Sequence, residues 1–96
     1  MRMLISYDVA TRSREGRRRL RRVAQACEDH GQRVQFSVFE CILGDSEWVQ
    51  LRARLLGILS EEEDSLRVYF IDEAAAKKTE HHGVRAPVDF EGPLIV

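Results

Sequence analysis

Residues 1–8 read Met-Arg-Met-Leu-Ile-Ser-Tyr-Asp, and this stretch decides the fold. Its apolar residues recur with a period of two, which is typical of a β-strand with two distinct faces. One face would carry Met3, Ile5 and Tyr7, and the other Leu4, Ser6 and Asp8. The strand should end at Asp8, because the polar loop 10–13 follows it closely.

A helix is predicted over residues 14–30. Its apolar positions follow the i, i+3, i+4, i+7 spacing of a helix that packs one side against a core. These positions are Gly16, Leu20, Val23, Ala24 and Cys27. Thr11 or Ser13 can cap the first turn, and Gly31 suits the position just after the last turn.

The rest of the chain predicts three strands and a second helix. The predicted elements are a long strand at 32–43, a helix at about 46–60, a strand at 66–71, a helical turn at 72–77 and a weak strand at 78–82. The acidic run 61–64 is expected to form a solvated turn. The order is loosely β-α-β-β-α-β, and more strictly β-α-β-α-β-β. Two helices on one face of an antiparallel sheet form a ferredoxin-like sandwich of the α+β class, and we predict this fold.

Apolar side chains occupy both faces of the predicted strands. Leu4 stands opposite Met3 and Ile5, and Phe39 stands opposite Val38. Two helices can cover only one sheet face, so the other would expose a large apolar patch. We therefore predict a homodimer in which a second copy covers that face.

Length and composition bound the class of protein. Ninety-six residues, 44% of them hydrophobic, predict one folded domain over residues 1–96. No apolar run approaches the roughly 20 residues that span a bilayer, and the N-terminus lacks a signal-peptide layout. We therefore expect a cytoplasmic protein with no membrane partner. Cys27 and Cys41 belong to no metal-binding motif and are expected to be buried free thiols.

The net charge of −1 hides an asymmetry along the chain. Residues 1–35 carry nine arginines against four acids, a net charge of +5, whereas residues 36–96 carry six Lys or Arg against twelve acids, a net charge of −6. Seven of the arginines fall within eleven residues: Arg12, Arg14, Arg17, Arg18, Arg19, Arg21 and Arg22. The guanidinium group offers a planar fork to phosphate oxygens. The cluster predicts either contact with a nucleic-acid backbone or a charged surface paired with the acidic half of the same or a partner chain.

Asp8 is the candidate for chemistry. A carboxylate at the end of a strand can bind Mg²⁺, whose bound water can attack a phosphodiester. In a twofold dimer, the two copies of Asp8 could approach one axis. The alternative is an Asp that only caps the loop at the strand end, and residue spacing alone favours this alternative.

Several segments together resemble a known family. Their order and spacing are similar to those of the small CRISPR-associated adaptation protein, the dimeric partner of the CRISPR integrase. The segments are MLISYDVA (residues 3–10), the basic helix, RVQFSVFEC (residues 33–41) and LRVYFID (residues 66–72). The similarity covers roughly residues 1–83. Its most specific parts are Tyr7-Asp8 and the run from Gln35 to Glu40.

The resemblance implies a ferredoxin-like homodimer that assembles with integrase dimers to capture and insert spacer DNA. It also implies a Mg²⁺-dependent endonuclease or endoribonuclease, with Asp8 as the metal ligand and catalytic carboxylate. Tyr7, Ser37 and Phe39 would support Asp8. Duplex DNA or RNA would contact the basic helix through Arg12, Arg14, Arg17, Arg18, Arg21 and Arg22. Residues 84–96 would form a C-terminal tail that pairs with the partner subunit.

Two other functions stay open on the sequence. A toxin-type ribonuclease of the same fold could share the strand–Asp–helix start. A purely structural subunit could bind DNA without cutting it, with its acidic second half as a protein-binding face.

Overall fold

The computed structural model describes residues 1–84, which form a four-stranded antiparallel sheet with helices packed against it. The elements in chain order are β1 (Arg2–Asp8), α1 (Arg14–Glu28), β2 (Gly31–Gln35), β3 (Val38–Ile42), α2 (Asp45–Ile58), β4 (Ser65–Ile71) and the short α3 (Glu73–Lys77). The strand order across the sheet is β2-β3-β1-β4. The predicted ferredoxin-like sandwich and the loose β-α-β-β-α-β order are confirmed, and the stricter order is wrong.

The predicted long strand at 32–43 is two strands joined by a tight turn at Phe36 and Ser37. The turn contains no Gly, Asn or Pro, so the residues that usually mark a hairpin are missing. A two-residue turn pairs Gln35 with Val38 and would by itself invert the alternation of period two. The irregularity in β2 restores it, because Arg33 then pairs with Phe39, and the pattern runs on as if the strand were continuous. The pairing of β2 with β3 shifts register between Arg33 and Gln35, and Phe36 at the tip is 72% exposed.

The end of the described chain departs from the sequence pattern in part. The helical turn predicted at 72–77 is α3, and Asp72 caps it by accepting a hydrogen bond of 2.7 Å from the Ala75 N–H. The weak strand predicted at 78–82 is wrong, because these residues are exposed and make no ladder. They offer no apolar side chains for a sheet to bury. Of the predicted tail 84–96, all but the exposed Val84 lies outside the described residues.

The core lies between the helices and one face of the sheet. The fully buried side chains come from β1, α1, β3 and α2, and the largest are Met3, Ile5, Val23, Cys27, Phe39, Cys41, Leu51 and Leu55. On α1 the buried alanine is Ala26 rather than the predicted Ala24. Cys27 and Cys41 are free and buried, as predicted.

The second face of the sheet is only partly covered by the described residues. Alternation along the paired strands places Leu4, Val38, Ile42 and Ile71 on this face, all of them only half-buried. Arg2 and Glu40 form an ion pair on the same face. None of the helices within residues 1–84 has the length and apolar character needed to cross a membrane.

Candidate functional site

Asp8 is the last residue of β1 and points away from the core. Its neighbour in the ladder is Ser65 at the start of β4. The preceding residues Met3, Ile5 and Tyr7 are buried, so strand alternation places the Asp8 carboxylate on the open side, where it is exposed. The sequence placed this residue correctly because an eight-residue alternation leaves a single register with an apolar core face.

The three residues predicted to support Asp8 converge on the end of β1. The Tyr7 backbone N–H donates to the carbonyl oxygen of Ser37 at 3.1 Å, and the Tyr7 hydroxyl donates to the carbonyl oxygen of Phe36 at 3.4 Å. The Tyr7 ring stacks on Phe39, with centroids 6.2 Å apart and ring planes 19° apart. Burial raises the pKa of Tyr7 above its ordinary value of 10.0, so its hydroxyl stays protonated. The structure therefore anchors the hairpin tip against the strand that ends in Asp8.

An open groove adjoins this hairpin. It has a volume of about 490 Å³ and is lined by Gln35, Phe36, Ser37 and Val38. Because Ser37 is hydrogen-bonded to Tyr7, the groove lies close to the Asp8 end of β1.

The α1 helix follows Asp8 after a short loop and presents one arginine-covered side to solvent. Its exposed arginines lie within an arc of about 140° at 3.6 residues per turn, and they are Arg14, Arg17, Arg18, Arg21 and Arg22. Exposed Arg12 lies in the loop just before the helix. We call these six residues the arginine face. Among residues 1–84, none of the six forms an ion pair, although Arg17 donates to the Thr11 carbonyl at 3.2 Å.

Arg19 is the one member of the sequence cluster that turns inward. Its side chain is 14% exposed and lies on the buried side of α1, where its Nε is 2.8 Å from Asp64 Oδ2 and its Nη2 is 3.3 Å from Glu63 Oε2. The Asp64 side chain is 0% exposed. The predicted solvated turn at 61–64 is therefore wrong for Asp64. The sequence prediction missed this ion pair, although helical spacing indicates it. Arg19 lies three residues after buried Gly16 and four before buried Val23, so its guanidinium needs a buried partner.

No group of three or more His, Cys, Asp or Glu side chains among the described residues could hold a metal ion. Asp8 therefore contributes a single exposed carboxylate from this chain. Mg²⁺ is commonly held by one or two carboxylates together with phosphate oxygens and retained waters, and an exposed carboxylate fits this mode of binding.

Comparison with known proteins yields one consistent group. A family model described as CRISPR associated protein Cas2 matches residues 1–79. A protein of Chlorobaculum tepidum named CRISPR-associated endoribonuclease Cas2 is 49% identical over 96 residues, covering 100% of both chains. A protein of Halalkalibacterium halodurans named CRISPR-associated endonuclease Cas2 is 47% identical over 95 residues, covering 99% of both. The crystal structure of Streptococcus pyogenes Cas2 at pH 6.5 is similar with a TM-score of 0.78 and 44% identity, covering 86% of this chain and 100% of that one.

Proposed function

The chain belongs to the CRISPR-associated Cas2 family, and we propose that it is a nuclease subunit that binds a nucleic-acid backbone through the arginine face and hydrolyses phosphodiesters at Asp8. The observation that carries the proposal is the adjacency of the two features. An exposed carboxylate ends β1, and after the loop 9–13 the chain enters a helix that exposes five arginines on one side. The family also separates this chain from the toxin-type ribonucleases considered as an alternative.

The arginine face would bind the nucleic-acid backbone. From Arg14 to Arg22 the helix rises about 12 Å at 1.5 Å per residue, which matches roughly three to four steps of 3.4 Å along a duplex strand. Guanidinium groups without acidic partners are available for bidentate contact with phosphate oxygens. Such contacts position the nucleic acid without reading its bases. We therefore propose binding that depends strongly on salt and weakly on sequence, to duplex DNA or to RNA.

Asp8 would mark the place where the phosphodiester is hydrolysed. In hydrolysis a water oxygen bonds to phosphorus, one P–O ester bond breaks, and the leaving oxygen takes a proton. A Mg²⁺ ion held by Asp8 and by phosphate oxygens would neutralise phosphate charge and make water more acidic. The arginines that follow Asp8 most closely in the chain, starting with Arg12, would stabilise the negative charge that develops on the phosphate.

The open face of the sheet supports the proposed homodimer. Leu4, Val38, Ile42 and Ile71 would be covered by the same face of a second copy. Asp8 lies on this face at the end of β1, so a twofold axis there would bring two carboxylates towards one metal ion. A monomeric mass in light scattering at micromolar concentration would contradict the dimer.

The family resemblance supports a further role in spacer acquisition together with dimers of the CRISPR integrase. The acidic second half of the chain offers a surface for such a protein partner, and Glu61, Glu62 and Glu63 are exposed within it. Pull-down of the purified integrase by this protein, and loss of the interaction when the three glutamates are changed to Gln, would support this assignment. Binding that is unchanged in that variant would remove these residues from the interface.

The catalytic part is tested with Asp8→Asn and the matched control Asp45→Asn, which changes an exposed aspartate on α2. Cleavage of single-stranded RNA and duplex DNA is measured with and without Mg²⁺, alongside the binding affinity for each. We expect D8N to lower cleavage at least 100-fold with an affinity within threefold of wild type, and D45N to cleave normally. Undiminished cleavage by D8N would refute the assignment of Asp8.

The binding part is tested by changing Arg17, Arg18 and Arg21 together to Gln. Each lost phosphate contact should reduce the slope of log K against log salt by about 0.9 on a duplex, or about 2.7 for three contacts in a protomer. The control is Arg52→Gln, an exposed arginine on α2. An unchanged slope in the triple variant would show that the arginine face has another role.

A second candidate is a DNA-binding subunit without catalysis. It is favoured by one observation, namely that Asp8 is a single carboxylate outside any metal-binding cluster among residues 1–84. Spacer acquisition in cells carrying D8N separates the two, because a structural subunit supports acquisition whereas a required nuclease does not.

A further inference from the structure

Asp64 is a buried, fully hydrogen-bonded carboxylate in the turn that leads into β4. Its Oδ2 accepts from Arg19 Nε at 2.8 Å and from the Ser60 N–H at 2.9 Å. Its Oδ1 accepts from Arg19 Nη2 at 3.2 Å and from the Ala10 N–H at 3.0 Å. A single side chain therefore ties together α1, the turn before β4 and the loop that follows Asp8.

The position of Asp64 relative to Asp8 is specific. Asp64 immediately precedes Ser65, the ladder neighbour of Asp8, and it binds the backbone of Ala10, two residues after Asp8. Asp64 and the residue next to it therefore hold both the strand pairing of Asp8 and the loop that follows it.

The same loop is held from a second side by α1. A Cβ atom on Gly16 would lie 1.9 Å from the Ala10 carbonyl oxygen, so the helix backbone rests directly against the loop. Arg17 donates to the Thr11 carbonyl at 3.2 Å. The Ser13 hydroxyl then caps the helix by accepting from the Gly16 N–H at 3.0 Å. The loop therefore has little freedom, and its rigidity rests on contacts with Asp64 and α1.

We infer that Asp64 is a positioning residue for the Asp8 site: by binding Arg19 and the Ala10 N–H, it holds the Asp8 carboxylate and Arg12 in the arrangement that the reaction requires. The inference rests on the proposed nuclease function. A loop released from Asp64 would sample many conformations, and a misplacement of about 1 Å at a reacting centre can cost roughly 100-fold in rate. The pairing also withdraws Arg19 from the surface and leaves the six-residue arginine face for phosphates.

The chemistry of the site requires a carboxylate at this position. Two oxygens accept four hydrogen bonds, and the negative charge compensates the guanidinium of Arg19. An asparagine has only one acceptor oxygen, and its NH₂ group would face N–H donors. The hydrogen bond from Arg19 holds the pKa of Asp64 below its ordinary value of 3.8, so the residue is ionised at neutral pH.

The test compares Asp64→Asn with Asp29→Asn. Asp29 also pairs with an arginine, at 2.9 Å from Arg54 Nη1, but it is exposed and lies at the other end of α1. Single-turnover cleavage of an RNA and a duplex DNA, their affinities and amide hydrogen exchange are measured at a temperature where circular dichroism shows each variant to be folded. We expect D64N to lower the cleavage rate 10- to 100-fold with an affinity within threefold of wild type, and D29N to match wild type.

Hydrogen exchange supplies a readout that is independent of catalysis. In D64N the Ala10 amide should exchange at least tenfold faster relative to the amide of Tyr7, which remains bonded to Ser37. A cleavage rate in D64N equal to that of D29N, or an Ala10 amide as protected as in wild type, would overturn the inference. If the wild-type protein cleaves nothing, the proposed function fails, and hydrogen exchange alone then decides whether Asp64 orders the loop.

A milder variant keeps the test decisive if D64N does not fold. Arg19→Lys retains the positive charge opposite Asp64 but loses the two-pronged contact. We expect a 3- to 10-fold lower cleavage rate with normal affinity and faster exchange at Ala10. A rate and an exchange profile identical to wild type in R19K would count against the inference.

Discussion

The contact between α1 and the loop after Asp8 makes a sharp prediction for Gly16→Ala. In a helix, this change ordinarily stabilises a protein by about 1 kcal/mol, because alanine has the higher helix propensity. Here the new Cβ would lie 1.9 Å from the Ala10 carbonyl oxygen and 3.2 Å from the Ser13 hydroxyl oxygen. The nearest atom belongs to the backbone and cannot rotate away, so the helix and the loop must separate by roughly 1 Å or more to restore normal contact.

The expected cost follows from what that separation disturbs. Overpacking a tight site typically costs about 1–3 kcal/mol. Moving Ala10 also weakens its 3.0 Å hydrogen bond to the buried carboxylate of Asp64, and a bond to a charged group contributes about 1.5–3 kcal/mol. After the gain in helix propensity, we expect G16A to lower the free energy of unfolding by about 2–4 kcal/mol. For a domain of this size, the Tm should fall by roughly 10–25 °C.

The assay is urea unfolding followed by circular dichroism and by the fluorescence of Trp48, the single tryptophan. Protomer concentration is held constant, because formation of the proposed dimer would add to the apparent stability. Gly57→Ala on α2 is the matched control, since a Cβ there would meet nothing within 4 Å. It should stabilise the protein by about 0.4–1 kcal/mol. A G16A protein as stable as wild type would refute the tight packing of the loop and, with it, the rigidity attributed to the Asp8 site.

Three further predictions concern ionisation and packing. The pKa of Asp64 is lowered by folding, so its contribution to stability is present above the unfolded value near 3.8 and is lost as pH falls through the lower folded value. In urea titrations from pH 5 to pH 2, D64N should lose less stability on acidification than the wild-type protein. An equal loss in the two proteins would contradict this prediction. Burial raises the pKa of the Cys27 thiol to about 12 and that of Cys41 to about 11. A disulfide reagent at pH 8 should therefore modify both thiols at least 100-fold more slowly in the native protein than in guanidinium chloride. Comparable rates would show that the thiols are accessible. Phe39→Ala should cost about 3–5 kcal/mol, because its fully buried ring fills the centre of the core; a loss below 1 kcal/mol on urea unfolding would show that the core refills the space.

The features that depend on local periodicity were predictable from the sequence. The alternation in residues 1–8 determined which side of β1 is buried and placed Asp8 on the open side at its end. The helical spacing in residues 14–30 determined that the arginines cover the solvent side of α1. Both follow because side-chain direction repeats every 2.0 residues in a strand and every 3.6 in a helix, whatever the rest of the chain does.

Other features depended on residues that are distant in the chain. The turn at Phe36 and Ser37 has no Gly, Asn or Pro, so the pairing of β3 with β1 decides where the strand breaks. Helical spacing also could not tell Ala26 from Ala24 as the buried alanine of α1, because both lie near the edge of its apolar stripe.

The difference between what the sequence and the tertiary structure decide is clearest in the basic cluster of α1 and the acidic run 61–64. The sequence by itself determined that arginines crowd α1 and that residues 61–64 are acidic. Only the tertiary structure decided that Arg19 and Asp64 leave their clusters and pair, 45 residues apart in the chain. The physical reason is that a buried charge is stable only beside an opposite charge with its hydrogen bonds satisfied, and the fold alone brings the two side chains within reach.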